Sequence, residues 1–316
     1  MRALPLITNS EVSTYRRCPR EWHWAYGQGI RPVERAGSLR FGSLVHSGLE
    51  SHWLGNGTAL AACDSDAYEI ERAKAMLDGY AIRWAADNYE VIGVEMQFRV
   101  RLVNPATGAR SLTFELGGKL DALVRDANGE VWVCEHKTSS EDITAGSQYW
   151  AKLRMDSQVS TYIFAAREMG YEPRGVLYDV LKKPQQKPFK ATPAESRKYK
   201  AGGDLYANQR ASDETPAEYG ERVRGAIAEN PDAYYQRGTV VRLAEEEREA
   251  AADLWQYAGR IRDTKRTGIA PRNPDACQRY GRTCGYWAAC VGESAIDNPA
   301  RYVKVASVHQ ELTDAA

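Results

Sequence analysis

The sequence predicts an α/β (α+β) fold, a three-layer core with a central mixed sheet flanked by helices. Three observations lead there. Segments with helical spacing of apolar residues stand on both sides of a block with strand-like alternation. That block contains an Ala-Asn-Gly turn at 127–129, a strong hairpin signal. The resulting order of helix, sheet, helix and strand lets helices cover a sheet on two faces. A cysteine-rich unit near the end of the chain stands apart from this core.

The elements follow in order. TNSEVSTYRRCPREWHWAY (8–26) reads as a helix capped by Thr8 or Ser10, then an aromatic-rich turn. Residues 38–54 open as a loop and continue at helical spacing through GSLVHSGLESHWL. A second long helix is expected over 67–89, with Ile70, Ala73, Met76, Leu77, Tyr80 and Trp84 on one stripe. Strands follow at 95–102, 112–126 and 130–137, then a helix at 156–169 and a strand at 174–183. Residues 184–235 are rich in Lys, Gln, Pro, Ala and Gly and poor in aliphatics, the mark of a mobile insertion, with a short helix at EYGERVRGAIAE. Residues 243–266 form a charged helix. No internal repeat is evident, and the 316 residues are read as a single domain, 1–316.

Composition narrows the classes of function. Lys plus Arg is 42 and Asp plus Glu is 42, so the chain lacks a wholesale basic footprint for nucleic acid, although a local basic groove is compatible with neutrality. No apolar run of about 18 residues is present, which argues against a membrane span. The start, MRALPLITNSEVSTYRRC, lacks the apolar stretch of a secretory signal, so a cytoplasmic protein is expected. In a reducing compartment six cysteines point to metal rather than to disulfides.

The chemistry gathers at VWVCEHKTSS (131–140). Glu135 and Lys137 lie two residues apart on a strand and so project to one face. Asp121 lies on the strand before the Asn-Gly turn, and a hairpin brings it beside Glu135. Two carboxylates converging at a strand edge are hard oxygen ligands suited to Mg²⁺ or Mn²⁺. An adjacent lysine positions water and stabilises developing negative charge. A surface ion pair between Glu135 and Lys137 is the plainer alternative.

Four motifs in order extend this pattern. They are GSLVHSGLE, GGKLDALV, EHKTSS and QVSTY. Together they resemble the PD-(D/E)XK nuclease superfamily in its RecB-like branch, which includes the RecB and AddB nuclease domains, the fourth CRISPR-associated exonuclease family and stand-alone phage exonucleases. The resemblance implies a restriction-endonuclease-like core and metal-dependent hydrolysis of DNA from its ends. It implies metal ligation by His46, Asp121, Glu135 and the main-chain carbonyl of His136, with Lys137 as the catalytic lysine. It places Gln158 and Tyr162, one helical turn apart, beside the site to hold Lys137 or a phosphate. An imidazole ligand favours Mn²⁺ relative to Mg²⁺. Glu95, opening a strand, is either a structural carboxylate or an accessory ligand.

Cys277, Cys284 and Cys290 cluster near the end of the chain, and Cys18 stands alone near the start. The tail spacings are too long for a knuckle built on C-x2-C. One N-terminal and three C-terminal cysteines resemble the iron–sulfur variant of the same branch, which implies a [4Fe–4S] cluster stapling Cys18 to the 277–290 unit. Zinc, or no metal at all, is the alternative. Cys63 and Cys134 are expected to be buried thiols.

Basic residues also gather locally: Arg16, Arg17 and Arg20, then Lys182, Lys183, Lys187, Lys190, Arg197, Lys198 and Lys200. Tyr178, Phe189 and Tyr199 lie among them, and such interleaving suits single-stranded DNA as well as a solvated loop. Two classes of function compete: a metal-dependent DNA exonuclease acting in repair, recombination or phage DNA processing, and a non-catalytic DNA-end-binding adaptor on the same scaffold. The chain has no G-x-x-x-x-G-K-[ST] loop, so helicase action requires a partner, a helicase or recombination protein. Homo-oligomerisation is left open.

Overall fold

The computed structural model describes residues 4–33, 37–60, 65–279, 281–309 and 312. Cys63 lies outside the described residues. In chain order the elements are β1 (Leu6–Ile7), α1 (Asn9–Arg17), α2 (Pro19–Trp22), β2 (Ile30–Pro32), α3 (Gly37–Trp53), α4 (Ala67–Arg83), β3 (Glu90–Val103), β4 (Arg110–Arg125) and β5 (Val131–Ser139). There follow α5 (Gln148–Leu153), α6 (Ser157–Glu168), β6 (Pro173–Lys182), α7 (Pro216–Glu229), β7 (Tyr235–Val240), α8 (Ala244–Thr267), β8 (Gln278–Arg279), β9 (Arg282–Thr283), α9 (Trp287–Cys290) and β10 (Tyr302–Lys304).

The expected three-layer arrangement is present. The central sheet runs β1-β4-β5-β6-β7, with β3 also paired to β4. It is mixed: β5 and β6 are parallel, joined through α6, while β3-β4, β4-β5 and β6-β7 are antiparallel. One face packs on α1, α6 and α8 through Leu123, Val133, Val159, Ile163, Val180 and Ile261. The other packs on α3, α4 and α7 through Phe41, Leu49, Met76, Leu77, Val223 and Tyr235.

The turn at 127–129 closes the β4-β5 hairpin. Gly129 takes φ +83°, a region that side chains avoid, and the Asp126 carboxylate accepts from the Asn128 and Glu130 amides at 2.9 Å.

Several boundaries differ from the sequence reading. Thr8, not Ser10, caps α1, accepting from the Glu11 amide at 3.1 Å. The expected aromatic turn is helical: Pro19 restarts the chain as α2, and a π-helical turn spans His23–Gly27. The expected loop at the start of 38–54 is already α3. The helix expected to reach residue 89 stops at Arg83, because β3 begins at Glu90, opposite Arg125. Pairing along a full-length strand overrides local helical preference there. α5 and β7 were not anticipated. The segment 184–235 divides. Residues 184–213 are mostly irregular, whereas α7 buries Tyr219, Val223 and Ile227 against α4 and belongs to the core.

The N-terminal and C-terminal segments meet. β2 pairs with β10, and the Tyr286 hydroxyl donates to the Ile30 carbonyl at 2.7 Å. No helix among the described residues is long and apolar enough to cross a membrane.

Candidate active site

β4 and β5 pair from Arg125–Val131 to Ala122–Cys134, and no further. The next residues, Asp121 and Glu135, face the opening where the two strands part. Instead of a ladder bond, the His136 amide donates to Asp121 Oδ2 at 2.8 Å. The splay therefore turns a hairpin position into an open carboxylate pair. α3 brings His46 to the same place, with Nδ1 at 3.8 Å from Asp121 Oδ2.

Lys137 leaves β5 on the same face as Glu135 and donates to Glu135 Oε1. Its Nζ also donates to Gln158 Oε1 at 2.7 Å, and Gln158 Nε2 donates to the Tyr162 hydroxyl at 2.6 Å. The one-turn spacing on α6 thus forms a relay from the buried Tyr162 to the lysine. Asp156 caps α6 at the Gln158 amide and accepts from the Tyr178 hydroxyl at 3.1 Å.

Glu95 lies between Val94 and Met96, which pair with Ala122 and Leu120, so it stands across from Asp121. Its φ of +52° departs from strand geometry, and its carboxylate is engaged by Lys119.

The electrostatics follow from burial. Desolvation pushes the Asp121 carboxyl up to about 6, against the pull of Lys137 and the His136 amide. Desolvation, reinforced by the Asp121 charge, lifts Glu135 to about 7. Burial opposes the Lys137 ammonium, but Glu135 and Asp121 outweigh it and hold its pKa above the ordinary lysine value. Burial pushes the His46 imidazole down, towards the neutral form that ligates metals. The site holds more negative charge than one lysine balances. Glu135 Oε2 is buried and has no hydrogen-bond partner. A spare buried carboxylate oxygen beside a second carboxylate and a neutral imidazole fits a divalent cation.

The three cysteines of the terminal unit lie in the electrostatic neighbourhood of Cys18. Cys18 and Cys277 lie close enough for their charges to act on Cys284 and Cys290. The Cys284 amide donates to the Cys277 carbonyl at 2.8 Å, and desolvation pushes the Cys284 thiol up to about 11. Thiols are the donor type that an iron–sulfur group takes. Cys134 is buried, as expected.

The expected DNA path is altered in part. Tyr178 is fully buried and cannot stack on a base. Arg17 is paired with Glu21, and Arg20 donates to the Ala270 carbonyl. Phe189 and Tyr199 are exposed at 49% and 57%, and Phe189 stacks beneath Arg222. Sequence reasoning missed Asp179 and Arg237, which meet behind the site at 2.9 Å. The available signal was a lone acid in the apolar strand RGVLYDVL, at the register of His136.

A mixed sheet between helical layers, with an acid–acid–lysine edge at the parting of two strands, defines a restriction-endonuclease-like fold. The sequence model of the PD-(D/E)XK nuclease superfamily matches residues 7–291, and the chain belongs to that superfamily. No curated protein matches the chain. Among solved structures, a protein of Eubacterium rectale described as a "Putative exonuclease" is similar at 11% identity and TM-score 0.42, over 88% of this chain and 89% of its own. A protein designated SSO0001 is similar at 14% identity and TM-score 0.25, over 73% of this chain and 79% of its own.

Proposed function

We propose that this nuclease-superfamily chain is a divalent-metal-dependent DNA exonuclease of the RecB-like, iron–sulfur type. The observation that carries the reading is the meeting of Asp121, Glu135 and Lys137 where β4 and β5 part, with Glu135 Oε2 uncommitted. His46, Asp121, Glu135 and the His136 carbonyl would hold Mg²⁺ or Mn²⁺. When bound, such an ion polarises a phosphoryl oxygen and acidifies water.

The chain's own groups do the rest. Lys137 has three N–H donors; Glu135 and Gln158 take two, which leaves one for the attacking water or a phosphate oxygen. Gln158 and Tyr162 fix the ammonium so that this third donor has one direction. Glu135 keeps Lys137 protonated, so its role is to donate a hydrogen bond and stabilise charge rather than to remove a proton. Cys18, Cys277, Cys284 and Cys290 would hold a [4Fe–4S] cluster that staples the chain ends. A helicase or recombination protein would supply unwound ends.

The test is hydrolysis of end-labelled single- and double-stranded DNA with Mg²⁺ and with Mn²⁺, beside a closed circular control. Progressive shortening of linear DNA, with the circle intact, is expected. Tight binding of ends without cleavage in either metal would establish the adaptor reading instead.

A further inference from the structure

A second cluster of donor atoms lies on the other face of the catalytic strand. Cys134 and His136 are two residues apart on β5, and both turn away from Glu135 and Lys137. Asp179 stands directly across from His136 in the parallel β5-β6 ladder, so its side chain emerges on the same face. Donor atoms of the three residues all lie within 4.8 Å of one another, and all three residues are buried. His136 joins the cluster through its ring, while its main chain serves the catalytic edge by holding Asp121.

Two of its polar atoms have no hydrogen-bond partner. Asp179 Oδ2 accepts from the Tyr80 hydroxyl and from Arg237, at 2.5 and 2.9 Å, but Asp179 Oδ1 is buried and unpaired. His136 Nδ1 is likewise buried and unpaired, 3.8 Å from Asp179 Oδ2. Leaving such atoms buried without partners is unfavourable and favours a ligand that engages them. The charges are also unbalanced. Arg237 is shared between Asp179 and Asp87, two carboxylates on one guanidinium. A divalent cation bound by a Cys134 thiolate adds one net positive charge and cancels the remainder.

We propose that Cys134, His136 and Asp179 form a zinc site on the face of β5 and β6 opposite the catalytic groups. The donors are one sulfur, one imidazole nitrogen and one carboxylate oxygen, a borderline-soft set that suits Zn²⁺ better than Mg²⁺. Asp179 Oδ1 and His136 Nδ1 are the atoms left free for it, and a water completes the tetrahedron. The ion clips β5 to β6 directly beneath Glu135 and Lys137. Its role is structural, because the site is closed to substrate.

The test uses the whole chain, purified without added metal and then supplied with one equivalent of Zn²⁺. X-ray absorption at the zinc edge should show one sulfur with nitrogen and oxygen neighbours. A four-sulfur shell would place the zinc at Cys18, Cys277, Cys284 and Cys290 and would overturn the proposal, as would failure to retain any zinc through gel filtration. The variants Cys134→Ala and Asp179→Asn should each lose the one-sulfur zinc while keeping the iron content of the parent. Retention of that zinc in a folded Cys134→Ala chain would also overturn it. Should both variants fail to fold, the sulfur count on the unaltered chain decides alone.

Discussion

The catalytic edge and the cysteine unit are built on opposite logics. At the edge, β4, β5, α3 and α6 deliver polar and charged side chains into a buried space, and the β4-β5 backbone stops pairing there. Glu135 is 3% exposed, and one of its oxygens has no partner. In the cysteine unit the thiols are only partly buried, yet the surrounding backbone is closed. The Arg20 amide reaches the Pro271 carbonyl at 3.1 Å, Asn273 Nδ2 reaches the Arg17 carbonyl at 2.8 Å, and β2 pairs with β10. The first region therefore carries buried carboxylate oxygen that its own groups leave unpartnered. The second joins the N- and C-terminal segments in a seam of backbone contacts.

The largest expected effect falls at the edge. Lys137→Ala and Asp121→Ala should each lower the single-turnover cleavage rate by about three orders of magnitude or more. DNA affinity should stay within about threefold, because neither side chain carries the bulk of phosphate contacts. Full activity in either folded variant would remove these residues from the chemistry and erase the contrast. A smaller loss is expected from Gln158→Ala. Lys137 keeps Glu135 but loses its second anchor, so the rate should fall by about 10- to 100-fold with substrate affinity unchanged. A Gln158→Ala chain whose affinity falls while its rate is kept would make Gln158 a DNA contact rather than a support for the lysine.

The same contrast governs what the sequence made legible. Asp121, Glu135 and Lys137 could be read because period-two alternation and an Asn-Gly turn fix the register of one hairpin. His46, Gln158 and Tyr162 came only through resemblance, since a helix face does not announce which sheet edge it meets. Asp179 and Arg237 were missed because each looks like an ordinary strand polar residue until β7 is laid beside β6. β7 itself, YQRGTV, alternates weakly and follows a segment of low aliphatic content. Tyr178 was placed among DNA-facing aromatics because it neighbours lysines in sequence. One strand position decided otherwise, turning its ring into the core.

At the cysteine unit, Cys284→Ala should act on stability rather than on chemistry. Loss of a thiolate ligand should lower Tm by roughly 5 °C or more and abolish the broad iron–thiolate absorbance near about 400 nm. DNA binding should weaken, because α1, which carries Arg16, loses part of its anchor. Single-turnover cleavage at saturating DNA, measured below the variant's Tm, should change by less than about threefold. A thousandfold fall in that rate with intact circular dichroism would mean that the seam shapes the edge, and the two regions would then be one device.

The smallest effect is a pH dependence that only the edge should show. Asp121 moves from 3.8 to about 6 and Glu135 from 4.5 to about 7 when buried without a metal. Both shifts are upward, so between the two sets of values the folded chain binds more protons than the unfolded chain. Stability from these groups is thus fully present below the ordinary values of 3.8 and 4.5 and is lost progressively as pH rises from there through about 6 to 7. A divalent cation reverses the cause, because it binds the ionised carboxylates and offsets their mutual repulsion. The rise in Tm on adding Mn²⁺ to chelator-treated protein should therefore be larger at pH 8 than at pH 5, by a few degrees. Asp121→Asn should flatten that difference, and Cys284→Ala should leave it intact. An equal rise at both pH values in the unaltered chain would mean that the carboxylate pair is not what the cation relieves.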